Sequence, residues 1–512
     1  MSAAAVPGGR PGRLLQRLER GLDWPGGAAL NPLRHLGALG FLFFWLLAAS
    51  GIYLYAVLDT SASGAYPSID RLSREQWYLG GVLRSVHRYA ADAFILVTLA
   101  HLLREWMLGR YRLFRRYSWL TGVPLLAFAF ACGIGGFWLN WDQLGQFSAQ
   151  ATAEWLDGLP FFASPLTRNF LNAASVSDRL FSLFVFIHLG LPLLLLFGLW
   201  FHIQRISLAE VLPPRALAWG GGLTLLALAL LQPVLSQPAV DLALAPTVLA
   251  IDWIVLFVHP LMYATSAAVV WSLLSGALLL LTLLPFLSRR QRAPVAVVEP
   301  DYCNGCRRCL ADCPYAAISM VPHPQRSARE LAVVHPHLCA ACGICAGSCP
   351  SSTPFRSMAE LVTGIDLPQS PIGALRQRLR SGLAALQVPR KLVVFGCDHG
   401  ADVRAVQGPD VVTHSLVCAG ALPPSFVEYA LRDGAAGVLV TGCRPGACEF
   451  RLGQQWTVER LDGAREPHLR DSVPPERVAS VWAGAGEEGA LVQALDQLRQ
   501  RVARLEPPSL QT

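Results

Sequence analysis

Charge is scarce in this sequence. Only 15% of its 512 residues are Asp, Glu, Lys or Arg. Mean hydropathy is +0.40. Together these exclude a wholly soluble protein and put a large part of the chain in a membrane. The first thirty residues are rich in Gly, Pro and Arg. They lack a short apolar core followed by a cleavage site, so no secretory signal peptide is expected. The net charge of +7 is no nucleic-acid signal either, because the arginines cluster beside apolar segments. Long apolar runs stop near Leu287, and the remainder reads as soluble sequence rich in cysteine. A chain of this length has room for several domains.

Six segments are apolar and long enough to cross roughly 30 Å of hydrocarbon: 33–58, 78–107, 118–139, 180–204, 215–235 and 254–287. Arg10, Arg13, Arg17, Arg20 and Arg34 precede the first, and Arg110, Arg112, Arg115 and Arg116 separate the second from the third. Arg205 and Arg215 flank the loop after the fourth, and Arg289, Arg290 and Arg292 follow the last. The other loops are poor in arginine and carry Asp59, Asp70, Glu75, Asp142, Glu154, Asp157 and Asp241. By the positive-inside rule both termini are cytoplasmic. The expected location is the cytoplasmic (inner) membrane of a prokaryote, crossed several times.

Four histidines form two pairs, His87/His101 and His188/His202, each fourteen residues apart. Fourteen helical residues climb roughly 21 Å and return to nearly the same face. Two such helices side by side bring the imidazoles together at two levels, His87 with His188 and His101 with His202. Each level can clamp one haem iron from both sides, leaving no open position, so the chemistry is electron transfer. The alternative is four unrelated histidines, although ionisable residues are rare in membrane helices. Gly37/Gly51 and Gly122/Gly136 repeat the same spacing, as close porphyrin packing requires. Arg84, Arg88 and Arg104 lie within four residues of these histidines. They either pair with haem propionates or snorkel to lipid headgroups.

On these residues, together with Pro192 four after His188, the segment 30–288 resembles the cytochrome b of quinol-oxidising cytochrome bc complexes. The resemblance implies two haems b, a quinol site at the outer face and a dimer through this segment. Trp141-Asp142-Gln143-Leu144-Gly145 resembles the family's outer loop. Asp252-Trp253 resembles its Pro-Glu-Trp-Tyr element, which makes Asp252 and Trp253 the candidate outer quinone site. Here Asn140 stands where proline is common, and Ile251 and Ile254 replace the element's proline and tyrosine. Asp252 either accepts a quinol proton or caps the sixth helix. His35 occupies the position where plastid relatives carry a haem-attaching cysteine, so that thioether link is absent. It is read as an interfacial or propionate-bonding residue rather than a fifth ligand. No Rieske or c-type haem motif is present, so bifurcated chemistry is not implied.

Cys303-x2-Cys306-x2-Cys309-x3-Cys313-Pro314 is followed by Cys339-x2-Cys342-x2-Cys345-x3-Cys349-Pro350. In this pattern three thiolates hold three corners of a [4Fe–4S] cube and the fourth ligand comes from the other motif. One cluster takes Cys303, Cys306, Cys309 and Cys349, and the other Cys339, Cys342, Cys345 and Cys313. Disulfides are not expected on the cytoplasmic side, and zinc fits the eight-cysteine ladder poorly. The segment 296–355 resembles a bacterial two-cluster ferredoxin, an α+β domain.

Residues 356–388 read as a linker with a short basic helix. Strands then end at Cys397, Cys418 and Cys443, with Cys448 close behind. Cysteines at strand ends converge on one edge of an α/β sheet, and four suit a [2Fe–2S] cluster. Buried structural cysteines or zinc remain open. On Phe395-Gly396-Cys397, Val417-Cys418-Ala419-Gly420 and the run Gly434–Cys448, the segment 389–461 resembles the delta subunit of methyl-viologen-reducing hydrogenases. That family relays electrons to heterodisulfide-reductase-type flavoproteins. Its usual second cysteine is replaced by Gly400, and His399 either substitutes or is a surface residue. The small α/β domain is expected to end at 470, with 471–512 a tail bearing a helix near 491–505.

The expectation is therefore a six-helix transmembrane haem bundle, an α+β two-cluster ferredoxin and a small α/β domain. Such a chain is a quinone oxidoreductase subunit that exchanges electrons with a cytoplasmic flavin or iron–sulfur enzyme. The alternative is a relay and membrane-anchor subunit of a hydrogenase, formate dehydrogenase or heterodisulfide-reductase-like complex.

Overall fold

A computed structural model describes residues 9–23, 27, 30–161, 164–170, 175–204, 206–242, 248–287, 293–350 and 361–505. Arg205, Arg289, Arg290 and Arg292, used above for orientation, lie outside the described residues. The chain divides into two compact units, one holding Leu30–Gln204 and Ala209–Ser288 and the other the remainder.

The N-terminal helix α1 (Gly9–Leu22) belongs to the second unit. The membrane unit follows with α2 (Leu36–Val57), α3 (Ala65–Arg74), α4 (Val82–Met107), α5 (Arg116–Asn140), α6 (Gln143–Asp157), α7 (Asp178–Ile203), α8 (Arg215–Leu231), α9 (Val258–Ala264) and α10 (Ala267–Leu283). Among the described residues, five helices are long and apolar enough to cross a membrane: Leu36–Val57, Trp77–Met107, Leu113–Asn140, Asp178–Ile203 and Ala267–Phe286. The six expected spans are thus five, plus the shorter α8. Its 17 residues rise only about 26 Å. The expected 254–287 span is also divided. Ser266 accepts a hydrogen bond from Val269 N at 3.3 Å, and this N-cap starts α10 two residues after α9 ends.

Within this unit α2 packs on α4 and α5 on α7. Their shared core includes Phe44, Phe94, Ile95, Phe137, Trp138, Phe181 and Phe184. Helices apolar on all sides have no amphipathic stripe to orient them. Small residues and side-chain hydrogen bonds between helices do so instead.

The second unit carries two short sheets and one larger sheet. Strands β1 (Val297–Val298) and β4 (Ile365–Asp366) pair antiparallel. So do β2 (Ile318–Pro322) and β3 (Glu330–Val334), in register Ile318↔Val334. The short helices α11 (Arg308–Asp312) and α12 (Ile344–Gly347) lie within the two cysteine motifs, carrying Cys309 and Cys345. The motifs repeat each other in backbone as well as sequence. Gly305 and Ala341 both have positive φ, and so do Arg307 and Gly343.

Helix α13 (Ile372–Ala385) leads into a parallel sheet of β5 (Lys391–Cys397), β6 (Val411–Leu416), β7 (Ala435–Gly442) and β8 (Val478–Trp482), ordered β6-β5-β7-β8. Helices α14 (Ser425–Arg432), α15 (Gly453–Leu461) and α16 (Glu488–Ala503) complete it. Alternation splits β5 between two cores: Val393 and Phe395 pack with Leu375, Leu379 and Phe426, and Leu392 and Val394 with Leu495 and Leu498. Residues 471–505 are therefore no tail, because β8 extends the sheet and α16 covers one face, and 506–512 lie outside the described residues. Likewise α13 buries Ile372, Leu375, Leu379 and Leu383, so this part of the expected linker is packed. Residues 356–360 of that linker, and 351–355 of the expected ferredoxin segment, lie outside the described residues.

Candidate functional site

The four histidines project from α4 and α7, and each meets a glycine of the helix beside it. A Cβ added to Gly51 would lie 3.1 Å from His87 Cε1, and one on Gly37 3.5 Å from His101 Cε1. On the other side, Gly136 gives 3.0 Å to His188 Cε1 and Gly122 gives 3.2 Å to His202 Cε1. The matching fourteen-residue periods thus bring each glycine to one imidazole. His87 and His188 face each other with ring centroids 6.4 Å apart. Two metal–imidazole bonds of about 2.0 Å and two ring radii of roughly 1.2 Å span about 6.4 Å, so this separation fits one metal ion between the rings. His101 and His202 are near enough to interact electrostatically.

Hydrogen bonds orient three of these rings. Ser50 Oγ donates to Leu46 O at 2.6 Å, so its oxygen is left to accept from His87 Nδ1 at 3.0 Å. Thr121 Oγ1 lies 3.0 Å from Tyr117 O and 3.1 Å from His202 Nδ1, the same arrangement. His188 Nδ1 donates to Cys132 O at 3.0 Å. A protonated, bonded Nδ1 leaves Nε2 as the metal-binding nitrogen and raises its basicity. Ser50 and Thr121 were missed in the sequence reading. The available signal was that each immediately precedes one of the spaced glycines, Gly51 and Gly122.

The three candidate propionate arginines differ. Arg84 is buried, Nη1 donates to Ser73 Oγ at 2.6 Å, and Nη2 has no partner among the described residues. That orphaned nitrogen fits an anionic group absent from the chain itself. Arg104 bonds Glu105 at 3.1 Å. Arg88 is paired with Asp92 at 2.6 Å and with Asp252. Asp252 Oδ1 also accepts from Ile254 N at 2.8 Å and Val255 N at 2.7 Å. Of the two sequence alternatives for Asp252, this geometry favours the cap: both carboxylate oxygens are engaged. Trp253 is 68% exposed. In the neighbouring loop, buried Asp142 caps α6 by accepting from Gly145 N, and it also accepts from Gln237 N, both at 2.9 Å. Burial raises its carboxyl above the ordinary range against those two bonds.

In the second unit, Cys303, Cys306, Cys309 and Cys349 line one cavity. The crossed set predicted for one cluster therefore shares a single space. The thiolates acting most strongly on Cys345 are those of Cys342, Cys339 and Cys313, the other crossed set, ahead of Cys309. Burial pushes the Cys309 thiol up to about 12, and the adjoining Cys306, Cys349 and Cys303 thiolates add to it. These thiols would ionise only with a cation among them, and the iron of a cluster would supply it. Among the described residues no three donors converge on a site for a single metal ion.

The third set gathers at the C-terminal edge of the parallel sheet. All four cysteines are buried, and Cys397 Sγ lies 3.8 Å from Cys443 Sγ. Hydrogen bonding from Cys443 holds Cys397 below the ordinary thiol range and drives Cys443 above it. A side chain at Gly400 would come within 2.9 Å of the Gly442 backbone, so a cysteine there does not fit this packing. His399 is half-buried against Phe450, 5.4 Å between ring centroids, and its amide donates to Cys397 Sγ at 3.4 Å.

Comparison with known proteins follows the same order. A solved structure described as "Hyperthermophilic respiratory Complex III" is 20% identical, covering 49% of this chain and 75% of that chain, with a TM-score of 0.41. Residues 23–210 match the cytochrome b/b6/petB family, residues 302–353 the 4Fe-4S dicluster domain, and residues 394–506 the delta subunit of methyl-viologen-reducing hydrogenase. Along the chain, a segment matching cytochrome b is thus followed by one matching the 4Fe-4S dicluster domain and one matching the hydrogenase delta subunit, in that order.

Proposed function

We propose that this chain is a membrane-bound quinone/quinol oxidoreductase subunit. It carries electrons between the quinone pool and a cytoplasmic flavin or iron–sulfur enzyme. His87 with His188 and His101 with His202 hold two haems b, with Arg84 on a propionate. Cys303, Cys306, Cys309 and Cys349 hold one [4Fe–4S] cluster, Cys313, Cys339, Cys342 and Cys345 the second, and Cys397, Cys418, Cys443 and Cys448 a [2Fe–2S] cluster. Both termini face the cytoplasm. The observation that carries this reading is the glycine set against each of the four histidines, on a chain whose second unit gathers four thiols around one cavity.

Direction has an energetic consequence. Each electron crossing the membrane is worth about 2.3 kcal/mol per 100 mV. Outer quinol feeding inner clusters moves electrons against the usual field and conserves energy, and the reverse path dissipates it. Asp252 supports a second reading. With its oxygens held by Arg88 and two backbone amides, the chain also suits a relay and anchor subunit whose quinone chemistry lies elsewhere. The test is anaerobic mixing of the oxidised protein with a quinol, following the haem α-band and then cluster EPR. The proposal expects haem reduction followed by cluster reduction. Haems that stay oxidised with quinol yet reduce from the clusters with dithionite favour the relay reading.

A further inference from the structure

Three cysteine sets in one soluble unit raise the question of their order. We infer that the set Cys313, Cys339, Cys342 and Cys345 exchanges electrons directly with the set Cys397, Cys418, Cys443 and Cys448. Ile344 forms the bridge between them and Arg460 is the positioning residue. The set containing Cys306 lies at the far end of the relay. This rests on the cluster assignments proposed above.

Ile344 immediately precedes Cys345 and is fully buried. Helix α12 packs on the turn Ala419–Ala421, which immediately follows Cys418. The contact is backbone-close. A Cβ on Gly420 would lie 2.9 Å from Ile344 Cγ1, and one on Gly343 2.9 Å from Ala421 Cβ. At Gly453 an added Cβ would meet Cys418 Sγ, Ile344 Cδ1 at 3.4 Å and Cys448 Sγ at 3.6 Å. One point thus touches the side chain beside Cys345 and two thiols of the C-terminal set. Cys303, Cys306, Cys309 and Cys349 line a cavity that includes none of the C-terminal cysteines, and Cys306 is exposed.

Arg460 clamps the three loops that carry these ligands. Its side chain is 1% exposed. Nη2 donates to Asp312 Oδ2 at 2.5 Å, beside Cys313, and to Ile344 O at 3.4 Å. Nη1 donates to Gly420 O at 2.8 Å, two residues after Cys418. Asp312 is held a second time by Arg465 at 2.7 Å, and its carbonyl accepts from Trp456 Nε1 at 3.2 Å. An apolar contact at Ile344 and a rigid polar clamp around it suit a fixed separation between two centres. The exchange moves one electron, oxidising one centre by one and reducing the other by one, with no bond or proton transferred.

The test is EPR of the full-length protein reduced stepwise with dithionite. The [2Fe–2S] signal should be broadened by spin–spin interaction when the neighbouring cubane becomes paramagnetic. Cys306→Ser, which alters the exposed ligand of the far cluster, should leave that broadening intact. Arg460→Met should keep all three signals and weaken the broadening, a change that a purely structural role would not produce. A third signal that stays narrow while both cubanes are reduced overturns this inference alone, as does broadening abolished by Cys306→Ser. An absent third signal overturns the cofactor assignment and this inference with it. The parent and Cys306→Ser measurements decide the order even if Arg460→Met does not fold.

Discussion

Arg88 and Asp252 are joined in an ion pair between α4 and the turn ahead of α9. Each had a separate role in the sequence reading, one on a haem propionate and the other at a quinone. The pair engages Asp252 Oδ2 while Oδ1 caps the turn at Ile254 and Val255. Asp252→Asn keeps a cap acceptor and leaves Arg88 with Asp92, so it should cost only about 1 kcal/mol. Asp252→Ala also strips the cap and should cost about 1 kcal/mol more. Thermal loss of haem absorbance measures both. Under the quinone-linked reading, quinol-driven haem reduction in Asp252→Asn should keep its pH profile and change by less than about tenfold. Loss of one limb of that profile would instead identify Asp252 as the proton acceptor.

Ser50 and Thr121 should tune two different haems. A hydrogen bond accepted from Nδ1 makes the imidazole a stronger donor and favours ferric iron. Removing a bond worth about 1 kcal/mol shifts a one-electron couple by on the order of 40 mV. Ser50→Ala should therefore raise the potential of the haem on His87, and Thr121→Val that of the haem on His202. Redox titration of the α-band checks both. Equal shifts of both haems in either variant, or none, would remove these hydroxyls from the ligand environment.

What could be read in advance depended on range. A fourteen-residue spacing is a property of one helix, and eight cysteines in two short motifs are a property of one segment, so both stand out in a linear sequence. The bonds Ser50–His87 and Thr121–His202 span 37 and 81 residues, and only the neighbouring Gly51 and Gly122 hint at them. Arg88 with Asp252 and Arg460 with Asp312 are longer still. The 471–512 segment was misjudged because Val478–Trp482 is short and only partly buried. Its place in the sheet comes from pairing with β7, which lies 40 residues earlier in register Val438↔Val478. The sixth span looked continuous because Thr265 and Ser266 interrupt its apolar run too briefly to register.

His414 should make the α/β domain acid-sensitive. It is buried, stacked on Phe395 at 5.5 Å, and its Nε2 has no partner among the described residues. Burial, aided by Arg378, lowers its pKa from 6.5 to about 4. The native state therefore holds it neutral while the unfolded chain takes up a proton below about 6.5. Stability from this site is full above pH 6.5 and falls as the pH drops toward 4, by at most about 3 kcal/mol. His414→Phe should flatten that slope. Denaturant midpoints of the full chain between pH 7 and 4.5 measure it, and an unchanged slope would assign the acid sensitivity elsewhere.

The glycine ladder offers a graded test of the haem assignment. An alanine Cβ would approach His101 to 3.5 Å from position 37, His202 to 3.2 Å from 122, His87 to 3.1 Å from 51 and His188 to 3.0 Å from 136. The first is ordinary contact, while the last requires the ring to move. Overpacking of this kind costs about 1–3 kcal/mol, and porphyrin edges crowd the same face. Haem retention should therefore fall in the order Gly37→Ala, Gly122→Ala, Gly51→Ala, Gly136→Ala. Valine at 51 or 136 should remove only the haem of the His87/His188 level, halving the haem per chain, while valine at 122 should remove the other. Haem per protein and the low-temperature α-band distinguish the two levels. Loss of both haems together from every variant would show that the glycines serve general helix packing and not two separate sites.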